Sequence, residues 1–408
     1  MKMQRSSFLM GAASGLALVG STDHFLARAL AQSPLDPRLG GDDRVLVVVN
    51  FQGGNDGLNT IVPFADPAYY RNRPSLAVTA DSVLRLNEQV GFNPKLQPLK
   101  DMYDKGMVAV VQSVGYPKPD LSHFRSSEIW QTAAPDAYLA TGWLGRYLDG
   151  AGLPTENLFN AAALAEQVLP AALVGERVDV PVIPTARGYG LASDRTAVGR
   201  DAFHELVAST EVPFQSPYLA RVASIEDHAQ RGAQELPKLT AGYTKSATYP
   251  TTSIAQSLAL AAQIIGSNLG TRVLYVQHGS FDTHTTQRQT QDRLLADFAD
   301  ATSAFYTDLA AHGNDKRVLL MTFSEFGRRV AENGSRGTDH GTAAPVFLIG
   351  GGIKGGIIGT HPSLDDLDNG NLRFATDFRG VYATVLEKWL NRPSTPILGG
   401  RFPTFPLA

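Results

Sequence analysis

Short apolar, largely β-branched runs that stop at glycine, serine or an acid constrain this chain more than any other feature. Arg44–Phe51 ends in Gln52-Gly53-Gly54-Asn55-Asp56-Gly57, and Val108–Val114 ends in Gly115-Tyr116-Pro117. Val273–Gln277 leads into Gly279-Ser280-Phe281-Asp282-Thr283-His284. Val318–Thr322 leads into Ser324-Glu325-Phe326-Gly327-Arg328, with Asp339-His340-Gly341 one loop later, and Val346–Ile349 forms a further run. Runs of this length, bounded by turn residues, read as strands buried on both faces. Between them Leu96–Gly106, Ser122–Trp130, Ser253–Ser267, Gln287–His312 and Val381–Leu390 read as helices. Strands alternating with helices specify an α/β fold, a mostly parallel central sheet flanked by helices.

The rest of the chain divides around that core. Residues 1–31 have the layout of an export signal: Lys2 and Arg5, an apolar stretch Phe8–Gly20, and Ala29-Leu30-Ala31 as a small-residue cleavage site. Arg5-Ser6-Ser7-Phe8-Leu9 resembles a twin-arginine signal with Ser6 in place of the second arginine. Residues 32–43 form a linker, and residues 44–408 one α/β domain with an insertion or cap at about 150–250, where Asp194–Leu239 reads as helical and Ala172–Val174 as strand-like. The expected location is periplasmic or secreted, with the export machinery as partner and no transmembrane segment in the mature chain.

With no cysteine, the chain makes no disulfide, thiolate metal site or cysteine nucleophile. Its net charge of −3 is spread out, and without a basic block nucleic acid is not an expected partner. Gly350-Gly351-Gly352-Ile353-Lys354-Gly355 matches a dinucleotide-binding glycine pattern, but β-like Ile357-Ile358 follows where that motif needs a helix.

Ligands of open α/β sheets bind beyond the carboxyl ends of the strands, where the acidic and histidine residues of this chain lie. Asp282 and His284, two apart, project to one side of an extended segment and suit a divalent ion. Glu325, Asp339 and His340 are further metal candidates, Asp339 either as a ligand or as a residue orienting a neighbour. Ser122, at a helix start, is a candidate nucleophile whose bland alternative is an N-cap. Arg125 and Arg328 suit a phosphate- or sulfate-like group, with ordinary surface arginines as the alternative, and for Glu325 the alternative is an ion pair with Arg328 or Arg329.

These residues resemble the DUF1501 family of exported bacterial proteins. The series runs Gly53-Gly54-Asn55-Asp56-Gly57-Leu58-Asn59-Thr60, Ser122-His123-Phe124, Phe281-Asp282-Thr283-His284, Ser324-Glu325-Phe326-Gly327-Arg328, Gly337-Thr338-Asp339-His340-Gly341 and Thr376-Asp377-Phe378-Arg379-Gly380. That family looks like a branch of the alkaline phosphatase and sulfatase superfamily. The resemblance implies an alkaline-phosphatase-like core, two metal ions between strand ends, and a serine or metal-bound water as nucleophile. It puts Asp282, His284 and His340 on the first ion and Glu325 on the second, with Phe326 replacing a histidine and Gln52 standing nearest the expected first-strand aspartate, so that Asp56 is a substitute. The expected cofactor is zinc, manganese, calcium or magnesium, and the expected substrate a small phosphate or sulfate ester. Two rivals stand beside it: a non-catalytic exported binding or assembly protein, and a nicotinamide or flavin oxidoreductase resting on the glycine pattern alone. Cleavage near Ala31 should leave a mature chain outside the cytoplasm that begins at Gln32, which N-terminal sequencing of the native protein checks.

Overall fold

The run Val45–Phe51 becomes an inner strand, β1, of a nine-stranded sheet in the computed structural model, which describes residues 43–154, 157–164, 168–183, 232, 235–238 and 240–407. The other strands are β2 (Val108–Gly115), β3 (Ala161–Leu164), β4 (Val182–Ile183), β5 (Val273–His278), β6 (Val318–Phe323), β7 (Ala344–Ile349), β8 (Gly356–Ile358) and β9 (Thr376–Asp377). Their order is β8-β2-β7-β6-β1-β5-β3-β4, with β9 beside β2. Strand β7 pairs antiparallel with β2 and β6, and the other pairings of this sheet are parallel. The sheet is therefore mostly parallel, as the runs imply.

Alternation along the strands feeds two cores. Val45, Val47, Val49 and Phe51 of β1 pack on one face, and Leu46 and Val48 on the other. Helices α1 (Gln97–Asp104), α4 (Ser253–Gly266) and α5 (Gln287–Ala311) cover the first face through Leu99, Leu258, Leu294 and Phe298. Helices α2 (His123–Thr132), α3 (Trp143–Gly150) and α6 (Phe378–Thr384) cover the second through Trp130, Trp143 and Tyr382. Burying each such side chain stabilises the fold by about 1.5–3 kcal/mol, which is why β-branched runs without polar interruption settle at the centre.

Two expectations change in detail. Ala171–Leu173 forms a 3₁₀ turn where a strand-like piece is expected, because Pro170 starts it and removes a ladder donor. Val381–Leu390 divides between α6 and a wider π turn at Val385–Trp389. The glycine pattern at 350–355 runs into strand β8, so the helix that a dinucleotide site requires is missing there. Of the cap expected at about 150–250, residues 184–231 lie outside those described, and so does the export signal at 1–31.

Asp56, a candidate metal ligand by sequence, is instead part of the interior. Its carboxylate is fully buried and pairs with Arg73 at 2.5 Å, and Gln287 also donates to it. Arg73 in turn donates to Asn59 Oδ1 (2.8 Å) and to the carbonyls of Val330 and Arg329 (2.9 Å each). Removing one member leaves the other charge buried without its partner. Arg73→Met should cost about 3–5 kcal/mol, read as a shift of the urea midpoint, and the Arg73→Met/Asp56→Leu double variant should lose less than that.

Candidate metal centre

Strands β6, β1 and β5 are adjacent and parallel, so the loops after their carboxyl ends meet on one rim. Because β7 runs the opposite way, the segment entering it, Asp339-His340-Gly341, reaches the same rim. Helix α2 starts there as well, after β2.

Arg328 ties these loops together. Its guanidinium is fully buried and donates to the carbonyls of Gly54 (2.8 Å), Thr338 (2.8 Å) and Phe281 (3.1 Å), and to Asp282 Oδ1 at 2.6 Å. It also donates to the carbonyl of Gly53. Gly53 has φ +114°, and a Cβ there would stand 2.4 Å from the backbone nitrogen of Asp282, so only glycine permits the close approach. The Gly53 N–H donates to Glu325 Oε1 (2.8 Å), and Ser324 Oγ donates to the Phe51 carbonyl (2.6 Å).

Three imidazoles converge on this frame, each with its Nδ1 held by an acceptor. Nδ1 of His123 faces Glu325 Oε1 at 2.9 Å, that of His340 faces the Leu121 carbonyl at 2.7 Å, and that of His284 faces Asp339 Oδ1 at 3.3 Å. These partners put the proton on Nδ1 and leave the Nε2 lone pairs directed inward. Nε2 of His284 lies 3.0 Å from Nε2 of His340, and the two lie 3.0 and 3.2 Å from Asp282 Oδ1. Nε2 of His123 lies 3.4 Å from Asp282 Oδ2. Donors bound to one ion at about 2.1 Å stand about 3.0 Å apart in an octahedron and about 3.4 Å apart in a tetrahedron. The observed spacings fall in that range, and ligand atoms of His123, Asp282 and His340 all lie within 4.8 Å of one another. Lone pairs facing one another at such distances are relieved by a shared proton or by a cation placed between them, so this set can hold a divalent metal.

The electrostatics favour the ligating states of Asp282 and His340. Burial pushes the Asp282 carboxyl up, but the hydrogen bond and charge of Arg328, aided by His340 and His284, outweigh it and bring the pKa down to about 2. For His340 burial lowers the pKa, against the opposing pull of the Leu121 carbonyl and Asp282, which favours the neutral, ligating ring. The Asp339 carboxyl is held below its ordinary value, first by the Asn333 amide, against a smaller desolvation effect, and then by His284.

Of the residues singled out by sequence, Asp282, His284 and His340 meet at one point. Asp339 stands behind His284, and Glu325, which is buried, stands behind His123. Asp56 does not reach the cluster. Arg328 is consumed by internal acceptors and cannot meet a substrate. Arg125 is likewise occupied: it donates to the carbonyls of Pro135 (2.9 Å) and Ala137 (3.0 Å) and pairs with Glu128 at 2.9 Å. Ser122 is the exposed N-cap residue of α2 and makes no side-chain capping bond. His123 is the residue that sequence pattern alone leaves unmarked, although it lies within Ser122-His123-Phe124, just after a strand. Phe326 stacks on His340 (ring centroids 4.3 Å apart) and lies 4.9 Å from His123, filling the flank of the cluster with an apolar ring.

A cleft of about 650 Å³ opens beside the cluster, lined by His123, Asp282 and Glu325 and by Asn50, Gln52 and Gln277. Ser122, Arg125 and Arg328 do not line it.

Residues 110–389, more than half of the chain, match a family described as a protein of unknown function, DUF1501. No curated protein matches the sequence. Among solved structures, the chain is similar to the zinc complex of the C-terminal periplasmic domain of EcEptC from Escherichia coli, at 12% identity and TM-score 0.37, covering 77% of this chain and 75% of that one. It is similar to alkaline phosphatase from the Antarctic bacterium TAB5, at 10% identity and TM-score 0.32, covering 75% and 92%. A protein in the alkaline phosphatase superfamily from Vibrio parahaemolyticus superposes at 8% identity and TM-score 0.31, covering 82% and 70%. Superpositions this loose leave the chemistry to be read from the chain's own residues.

The depressed pKa of Asp282 makes a signed expectation. Its stabilising contribution is complete above the ordinary value of 3.8 and is lost as pH falls towards about 2. The difference in thermal midpoint between the wild type and Asp282→Asn should therefore shrink as pH falls from about 4 towards about 2, as melting curves across that range would record.

Proposed function

The chain belongs to the DUF1501 family, and we propose that it is an exported, metal-dependent hydrolase of phosphate or sulfate esters. One observation carries this reading: ligand atoms of His123, Asp282 and His340 lie within 4.8 Å of one another, and Nε2 of His284 meets Asp282 and His340 at 3.0 Å each, with each Nδ1 already engaged. His123, Asp282, His284 and His340 would hold the ion. Three nitrogens and one carboxylate suit zinc or manganese better than calcium or magnesium, which prefer all-oxygen sets. When bound, such an ion polarises an ester oxygen and lowers the pKa of a water molecule.

The chain's own residues do the rest. Glu325 and Asp339 fix the orientation and tautomer of His123 and His284, and Arg328 holds Asp282 ionised and in place. Ser122 lies outside the cleft lining, which favours water over serine as the nucleophile. Hydrolysis then joins the water oxygen to phosphorus or sulfur, breaks the bond to the bridging ester oxygen, and leaves a proton on the released alcohol. With Asp56 committed to Arg73 and Phe326 occupying the flank, the reading needs a single ion. That same feature favours a second reading, an exported binding or assembly protein that keeps the ion without catalysis. No helix among the described residues is long and apolar enough to cross a membrane.

Calorimetric titration of the mature protein with zinc or manganese should give one equivalent bound. His340→Ala should abolish binding, and Glu325→Ala should weaken it by about 10–100-fold, the usual cost of removing an orienting partner. Chelation should stop hydrolysis of a panel of nitrophenyl phosphates and sulfates. Metal binding without turnover of any panel member would leave the binding-protein reading.

A further inference from the structure

The cleft beside the metal cluster has a charge pattern that bears on which ester it accepts. Among the described residues its ionisable lining is His123, Glu128, Tyr275, Asp282 and Glu325, and no lysine or arginine lines it. Two arginines that pair with lining carboxylates are spent: Arg125 on Glu128 and the carbonyls of Pro135 and Ala137, and Arg328 on Asp282 and backbone carbonyls. The neutral polar lining is amide-rich. Asn50, at the end of β1, is only 7% exposed, and its Oδ1 has no hydrogen-bond partner in the protein. Along the same cleft lie two of the few large apolar side chains left exposed among the described residues, Phe124 at 91% and Val168 at 76%.

A phosphate monoester carries close to two negative charges above its second pKa of about 6, whereas a phosphodiester or a sulfate ester carries one. Desolvating the second charge is costly unless a cation with free donors meets it, and among the described lining residues, with the donors of Arg125 and Arg328 committed, the ion would meet it alone. We propose that the cleft selects esters bearing a single negative charge, with an uncharged arm lying along Phe124 and Val168. This rests on the hydrolase reading for its chemistry, and it concerns binding first. The shared feature of the accepted ligands is a tetrahedral phosphorus or sulfur centre with one ionised oxygen.

Two phosphonates that are not esters of a good leaving group test the selection without turnover. Phenylphosphonate is doubly charged at about pH 8 to 9, and its monomethyl ester is singly charged. Calorimetry on the zinc-loaded mature protein should find the monomethyl ester bound at least ~10-fold more tightly, since a second charge must be desolvated without a partner. Ser127 lines the cleft on α2 one turn beyond His123, so Ser127→Lys should place a cation there and reduce the preference at least ~3-fold, with zinc content unchanged. Equal or tighter binding of phenylphosphonate, or no binding of either compound, would overturn the selection. A parallel assay with a bis-nitrophenyl phosphate diester, nitrophenyl sulfate and nitrophenyl phosphate separates the two sources, the better of the first two naming the ester. Tight binding of the monomethyl ester with no turnover in that assay keeps the selection and removes the hydrolase reading instead.

Discussion

The buried guanidinium of Arg328 is the interaction on which the site depends. It takes a full charge out of water, a cost of several kcal/mol, and recovers it through the Asp282 carboxylate and the carbonyls of Gly54, Phe281 and Thr338. Those acceptors belong to the loops after β1 and β5 and to the loop that enters β7. One planar group with donors in a fixed fork can set the relative position of three segments in a way that a flexible lysine cannot. Asp282 is thereby presented as an ionised, partly exposed carboxylate with one oxygen already bonded from behind.

On this frame each histidine acquires a direction. A lone imidazole at a loop end rotates and changes tautomer freely, so its presence in sequence says little. A ring whose Nδ1 donates to Glu325, Asp339 or the Leu121 carbonyl has one orientation and one available lone pair. The reversal of β7 matters as much, because it returns His340 to the rim from which Asp282 projects.

How much of this is legible beforehand follows from which residues carry their meaning locally. The strands are legible because β-branched runs such as Val45–Phe51 have few alternatives once a large core must form. Asp282 and His284 are legible because they follow such a run directly, and His340 because it lies one loop beyond another. Arg328 and Asp56 are not: a charged residue in a loop reads alike whether it faces a ligand or a buried partner, and the partners, Asp282 and Arg73, are fixed only by tertiary packing. His123 is masked because a histidine one residue into a helix resembles an ordinary surface position until Glu325 is brought beside it.

Phe326 decides what kind of site this frame can support. It follows Glu325 directly, stacks on His340 and packs near His123. An aromatic ring there offers no lone pair and excludes water from one side of the cluster, which raises the local cost of an unpaired charge. Glu325, buried beside it, accepts from both the Gly53 N–H and His123 Nδ1 on its Oε1 and so orients that ring. Glu325 and Phe326 thus sharpen the geometry of the cluster, one by bonding His123 and the other by stacking on His340.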